Sequence, residues 1–194
     1  MAKRAYFSEV RTAKAAATRE RIRQAAVEIH RERLWDDFTL EDVARRAETT
    51  VQTVLRIYGS KQALALLSVE AGIGRGRASS RPGDIAAAAR VVFDDYAEIG
   101  DQVIGYLAAE PLQPTLTPQI QVGRDSHRRW VETVFAPQLA ARRGGARDRL
   151  LHGLIAATDV YTWKLLVRDH RLGRDRAEAV VKAMIEALIE GGRR

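Results

Sequence analysis

The stretch TLEDVARRAETTVQTVLRIYGSKQAL, residues 39–64, decides the reading of this chain. Thr39 with Asp42 three residues on is a capping-box start, and Leu40, Val43, Ala44 and Ala47 then fall on one helical face. Glu48 and Thr49 fill a turn, and the Thr50 hydroxyl is placed to cap a second short helix. In that helix Val54 and Tyr58 form the inward stripe, which leaves Val51, Gln52, Thr53 and Arg56 pointing outward. A third helix opens at Ser60, with Ala63, Leu64, Leu67 and Ala71 facing inward. Two short helices around a tight turn form a helix-turn-helix, whose second helix enters a DNA major groove.

Working outward, Thr18 to Leu34 reads as a preceding helix with Ile22, Ala25, Ala26 and Ile29 on one face, closed by Trp35 and Phe38. The runs TRERIRQAAVEIHRE (18–32), FTLEDVARRA (38–47) and TVQTVLRIYGSKQAL (50–64) resemble the DNA-binding domain of the TetR (tetracycline repressor) family of bacterial transcriptional regulators. The most specific element is the junction around Tyr58, Gly59 and Lys61. The resemblance is close over roughly residues 15–70 and one of layout beyond. Glu48 stands where the family usually has glycine, and Thr49 where it has an apolar residue. Leu55 and Ile57 replace the family's common Tyr and His, which implies fewer polar contacts to the DNA backbone.

Charge distribution agrees with a polyanionic partner. The net charge is +7, and most of the excess lies in the first 81 residues, the part that holds the helix-turn-helix. Residues 1–14, MAKRAYFSEVRTAK, read as a basic N-terminal arm with no apolar core of a signal peptide. Residues 15–71 are the expected DNA-binding domain. The glycine-rich segment GIGRGRASSRPGD begins a linker, 72–83, and residues 84–194 form a second helical domain.

No alternating strand pattern appears, so the fold class expected is all-α: an N-terminal three-helix DNA-binding domain plus a C-terminal helical ligand-binding and dimerisation domain. In the second part the expected helices run from Asp84 to about Ile99, from Gln102 to Ala109, from Pro118 to Leu139, from Ala146 to about Asp169, and from Arg174 to Ile189. Glu110 to Pro118, with three prolines, is a loop.

Catalytic signatures are missing. The four histidines, at 30, 127, 152 and 170, lack metal-ligand spacing, there is no cysteine, and no nucleophile elbow or phosphate loop is present. Neither an enzyme, a cofactor, a metal nor a membrane-spanning segment is expected, and a cytoplasmic location is.

The expected DNA-binding residues are Thr39, Arg46, Thr50, Val51, Gln52, Thr53, Arg56 and Lys61, on double-stranded operator DNA. Gln52 pairs with adenine and Arg56 with guanine by residue chemistry, while Val51 meets a thymine methyl. Resemblance to the family implies an effector pocket in the second domain. The aromatics Phe93, Tyr96, Tyr106, Trp130 and Tyr161 are its expected lining, for a small apolar or aromatic effector. A homodimer interface is expected from Leu151, Leu154, Ile155, Thr158, Val181, Met184, Ile185 and Leu188, because that stripe exceeds what one chain needs to bury. The function expected is a small-molecule-responsive repressor acting as a dimer on a palindromic operator. The rival is a helical ligand-binding or interaction protein that no longer reads a DNA sequence.

Overall fold

The computed structural model describes residues 2–32, 39–64, 77 and 80–191, all of whose regular elements are helical. The chain divides into two compact units, Met1–Gly72 and Ile73–Arg194. Trp35, Phe38, Leu67 and Ala71 lie outside the described residues, as does most of the 72–83 linker.

In the first unit, α1 spans Ala2–Glu32, α2 Leu40–Arg46 and α3 Val51–Tyr58. A fourth helix, α4, is described over residues 61–64. The arm expected over residues 1–14 is drawn from Ala2 onward as part of α1. Alanine, lysine, arginine and glutamate are strong helix formers, and no Gly or Pro interrupts them. Ile22, Ala25, Ala26 and Ile29 of α1 are buried together with Val43, Ala44 and Ala47 behind α2, Val54 of α3 and Leu64. The caps are those the residue types dictate. Thr39 and Asp42 form the reciprocal capping box on α2, the Thr50 hydroxyl accepts from the Thr53 N–H at 3.2 Å, and Ser60 Oγ accepts from Ala63 at 3.0 Å.

In the second unit, α5 (Ile85–Ala109) starts at the Asp84 cap, whose carboxylate accepts from the Ala87 N–H at 2.9 Å. It runs unbroken through Gly100, where two helices had been expected. Gly100 is there to receive a ring rather than to end a helix: a Cβ at this position would lie 2.5 Å from the Trp163 indole. A 3-10 turn at Pro114–Leu116 leads into α6 (Thr117–Val134). The single helix expected to reach Leu139 breaks at Phe135, and α7 (Ala136–Ala140) follows with Pro137 in its first turn, where a missing N–H costs nothing.

The long helix expected from Ala146 is likewise divided. α8 (Gly144–Ala157) stops at Thr158, and Asp159 caps α9 (Val160–Lys164) by accepting from the Tyr161 N–H at 2.9 Å. α9 widens into a π turn over Leu165–Asp169 before α10 (Arg174–Gly191). α10 packs on α5 and α8, α5 on α9, and α6 on α8. Phe93, Phe135, Leu151, Leu154 and Ile185 are among the largest side chains fully inside this core. No described helix is long and apolar enough to cross a membrane.

Candidate functional site

The helix-turn-helix is held from behind by hydrogen bonds to α1. Tyr58, the last residue of α3, donates its hydroxyl to the Arg19 carbonyl at 2.8 Å, and the Arg19 guanidinium lies 6.0 Å from the Tyr58 ring centroid. Arg21 Nε donates to the Ala47 carbonyl, the C-cap of α2, at 3.3 Å. Both contacts end on main-chain oxygens, so they fix the helices rather than merely cover them.

The turn keeps its geometry without the family's glycine. Glu48 takes φ 50, in the left-handed region, and its N–H reaches the Arg45 carbonyl at 3.3 Å. Thr49 donates to the Ala44 carbonyl at 2.9 Å, which completes a Schellman closure. A side chain in that conformation costs about 1–2 kcal/mol that glycine avoids. Glu48→Gly is therefore expected to stabilise the protein by about 0.5–1 kcal/mol after the entropy of glycine is charged against it, seen as a higher midpoint in thermal melts. A lower midpoint would mean that the Glu48 side chain contributes more than its backbone costs.

On the outward side of α3, Gln52 and Arg56 are exposed, and neither has an ion pair or side-chain hydrogen bond among the described residues. Leu55 is exposed beside them, while Val51, Thr53 and Ile57 are half-buried. The other expected contacts are more constrained. Thr39 and Thr50 use their hydroxyls as caps, and the Thr50 and Thr53 hydroxyls lie 2.9 Å apart. Arg46 makes a two-pronged ion pair with Glu32 of α1, both contacts at 2.9 Å, and Arg45 pairs with Asp42. Hydrogen bonds from the Thr39 N–H and hydroxyl hold the Asp42 carboxyl below the usual carboxylate range. Lys61 is half-buried in the first turn of α4.

The residues expected around an effector separate in the second unit. Phe93, Tyr96, Tyr106 and Trp130 are buried, but Tyr161 is 56% exposed. The Asp159 cap starts α9 in a phase that turns Tyr161 outward and brings Trp163 inside instead. Tyr106 is ten residues beyond Tyr96 on α5, about 15 Å along the axis, too far to share one small pocket with it. What gathers around Tyr96 is a polar cluster that the sequence reading did not single out. Its centre is Arg77, which is 7% exposed although it comes from the glycine-rich segment. Arg77 Nε meets Asp95 at 2.5 Å, and Nη1 lies 2.7 Å from His127 Nδ1. Its guanidinium carbon sits 5.3 Å from the Tyr96 ring centroid and 5.0 Å from that of Trp130. Tyr96 donates to the Thr158 carbonyl at 3.3 Å and packs against Trp163 with ring centres 5.9 Å apart.

A guanidinium only donates, so His127 Nδ1 must accept, and the ring proton resides on Nε2. Nε2 faces the Thr158 hydroxyl at 3.2 Å and the Ile155 carbonyl at 3.4 Å, both able to accept. Burial first, and the Arg77 charge second, pull the His127 pKa down to about 4, so the imidazole is neutral at neutral pH. Burial raises both Asp95 and Asp159 above the usual range, against the pull of Arg77.

The expected dimer residues divide as well. Leu151, Leu154, Thr158, Val181 and Ile185 are inside the core of their own chain, so they are not available to a partner. Ile155 and Leu188 are half-buried, and Leu188 closes over Gly153, where a Cβ would lie 2.8 Å away. Met184 is 38% exposed, as is Val180.

A pinned, capped helix-turn-helix in a chain whose described regular elements are all helical has the architecture of a DNA-reading domain. Residues 22–67 match the family model described as "Bacterial regulatory proteins, tetR family", which supports a DNA-binding transcriptional regulator. No curated protein and no solved structure matches the chain. The described residues hold no group of acidic, histidine or cysteine side chains suited to a metal ion.

Proposed function

We propose that the protein is a small-molecule-responsive repressor that binds a palindromic operator as a homodimer, in the cytoplasm where its DNA is. The observation that carries the DNA reading is the outward face of α3. Gln52 and Arg56 are exposed and uncommitted there, on a helix whose far end is fixed to α1 by Tyr58. Those are the two side chains on that face able to read adenine and guanine edges. Arg46, with its charge already met by Glu32, contributes less than its position suggests. Gln52→Ala and Arg56→Ala are each expected to weaken operator binding by about 1–3 kcal/mol and to relax base choice, measured by anisotropy titrations against operator and scrambled duplexes. Equal loss on both duplexes would leave the chain as a non-selective binder, the rival reading of its N-terminal domain.

Dimerisation is assigned to the outer faces of α8 and α10. Val180, Ala183, Met184 and Ala187 of α10 are exposed at helical spacing, and His152 and Ala156 of α8 are exposed too. Two such hairpins form a four-helix interface with two-fold symmetry, which a palindromic operator mirrors. The double variant Val180→Asp/Met184→Asp is expected to sediment as a folded monomer and to lose operator binding. A dimer retained by that variant would move the interface elsewhere.

The effector, small and aromatic or apolar, binds within the second unit and favours a state with lower DNA affinity. By linkage, the operator then lowers effector affinity by the same factor.

A further inference from the structure

An arginine side chain buried between two aromatic rings marks a place built to hold a cation. Tyr96 and Trp130 each present a ring to the Arg77 guanidinium, at 5.3 and 5.0 Å, and rings in that arrangement attract positive charge. Asp95 supplies a carboxylate at 2.5 Å, and His127 Nδ1 offers a neutral acceptor at 2.7 Å. Asp159, half-buried, lies within electrostatic reach of the same guanidinium and of Arg124. The Asp95 carboxylate and the two ring faces favour a cationic ligand over an anionic one. The indole N–H of Trp130, in a residue that is 8% exposed, has no hydrogen-bond partner among the described residues.

The occupant is also unusual in where it comes from. Arg77 lies just beyond the division at Gly72 and Ile73, in a glycine-rich stretch of the sequence. Asp95 and Tyr96 are carried by α5 and His127 and Trp130 by α6, whereas Arg77 belongs to none of the described α-helices. We propose that the recess formed by Tyr96, Trp130, Asp95 and His127 is a binding site for flat organic cations of the amidinium or guanidinium type, with Arg77 as its resident occupant. Such a cation displaces the Arg77 side chain. That such a cation is the effector rests on the function proposed above.

The test uses the full-length protein, its Arg77→Ala variant and benzamidinium chloride as the probe, followed by tryptophan fluorescence and thermal shift. Arg77→Ala empties the recess and is expected to bind benzamidinium at least tenfold more tightly than the unaltered protein, which must first eject its own guanidinium. Benzoate and benzyl alcohol are expected not to bind either protein, and Asp95→Asn in the Arg77→Ala background is expected to lose at least tenfold in affinity. Equal benzamidinium affinity in the two proteins, or preference for benzoate, overturns the proposal. If Arg77→Ala unfolds, recovery of its helical circular dichroism by millimolar benzamidinium but not by sodium chloride supports the site, and no recovery overturns it. These readouts involve no DNA, so a failure of sequence-selective DNA binding is a separate result that bears only on the preceding proposal.

Discussion

Ile185→Asp is expected to unfold the second unit rather than to separate a dimer. Ile185 is fully buried within its own chain, in one core cluster with Leu151, Leu154 and Val181. Losing the aliphatic side chain costs about 2–5 kcal/mol by itself, and a carboxylate with no partner adds its desolvation to that. The total is a large share of the roughly 5–15 kcal/mol that stabilises a domain. A melt followed by circular dichroism should show the cooperative transition of the second unit lost or lowered by tens of degrees. Val180→Asp and Met184→Asp, on the outward face of the same helix, should melt within a few degrees of the unaltered protein because both side chains are already in part exposed. An Ile185→Asp protein that folds normally would mean that α10 is rotated from the orientation described here.

Acid is expected to weaken the second unit through His127. The folded-state pKa of about 4 lies below the unfolded value near 6.5, so the unfolded chain binds a proton first. The stability that His127 contributes is whole above pH 6.5 and is lost as pH falls toward 4, amounting to about 3 kcal/mol across that interval. Asp95 and Asp159 work in the opposite sense, since their raised folded-state values favour the folded chain as they protonate. The His127 share is therefore read as a difference. Denaturant melts of the unaltered protein and of His127→Gln should diverge between pH 6.5 and 4, with the variant losing less stability. Parallel curves would show that the ring is not neutral and buried as described.

The helix-turn-helix was legible in the sequence because each of its devices is local. Thr39 finds Asp42, Thr50 finds the Thr53 N–H, and Ser60 finds Ala63, all within three residues. Sequence spacing alone therefore identifies the caps and the apolar face of each short helix. The second unit resisted the same treatment where its determinants are distant. Arg77 meets partners 18 and 50 residues away, and its glycine-rich surroundings read as linker whatever its side chain does. Gly100 read as a break because the ring that fills its missing Cβ arrives from 63 residues later. In α10 the apolar residues 180, 181, 184, 185, 188 and 189 form a stripe too broad for periodicity to divide. Only the neighbours α5 and α8 decide that Val181, Ile185 and Ile189 go inside while Val180 and Met184 stay out. Likewise Tyr161 and Trp163 could not be assigned to opposite sides until the Asp159 cap fixed where α9 begins.

The π turn at Leu165–Asp169 bears on how lengths vary at this point of the chain. His170 donates to the Leu165 carbonyl five residues back at 2.9 Å, so the turn encloses one residue more than an α-helical turn does. Deleting a single residue there lets the turn tighten to the ordinary pitch, with Trp163 before it and Leu172 after it still anchored in their packing. The same deletion inside α8 or α10 would rotate every following side chain by about 100° and turn the buried stripe toward water. Homologous chains one residue shorter between Trp163 and Gly173 are thus expected to keep this architecture, and an aligned gap belongs in that turn rather than in the helices on either side.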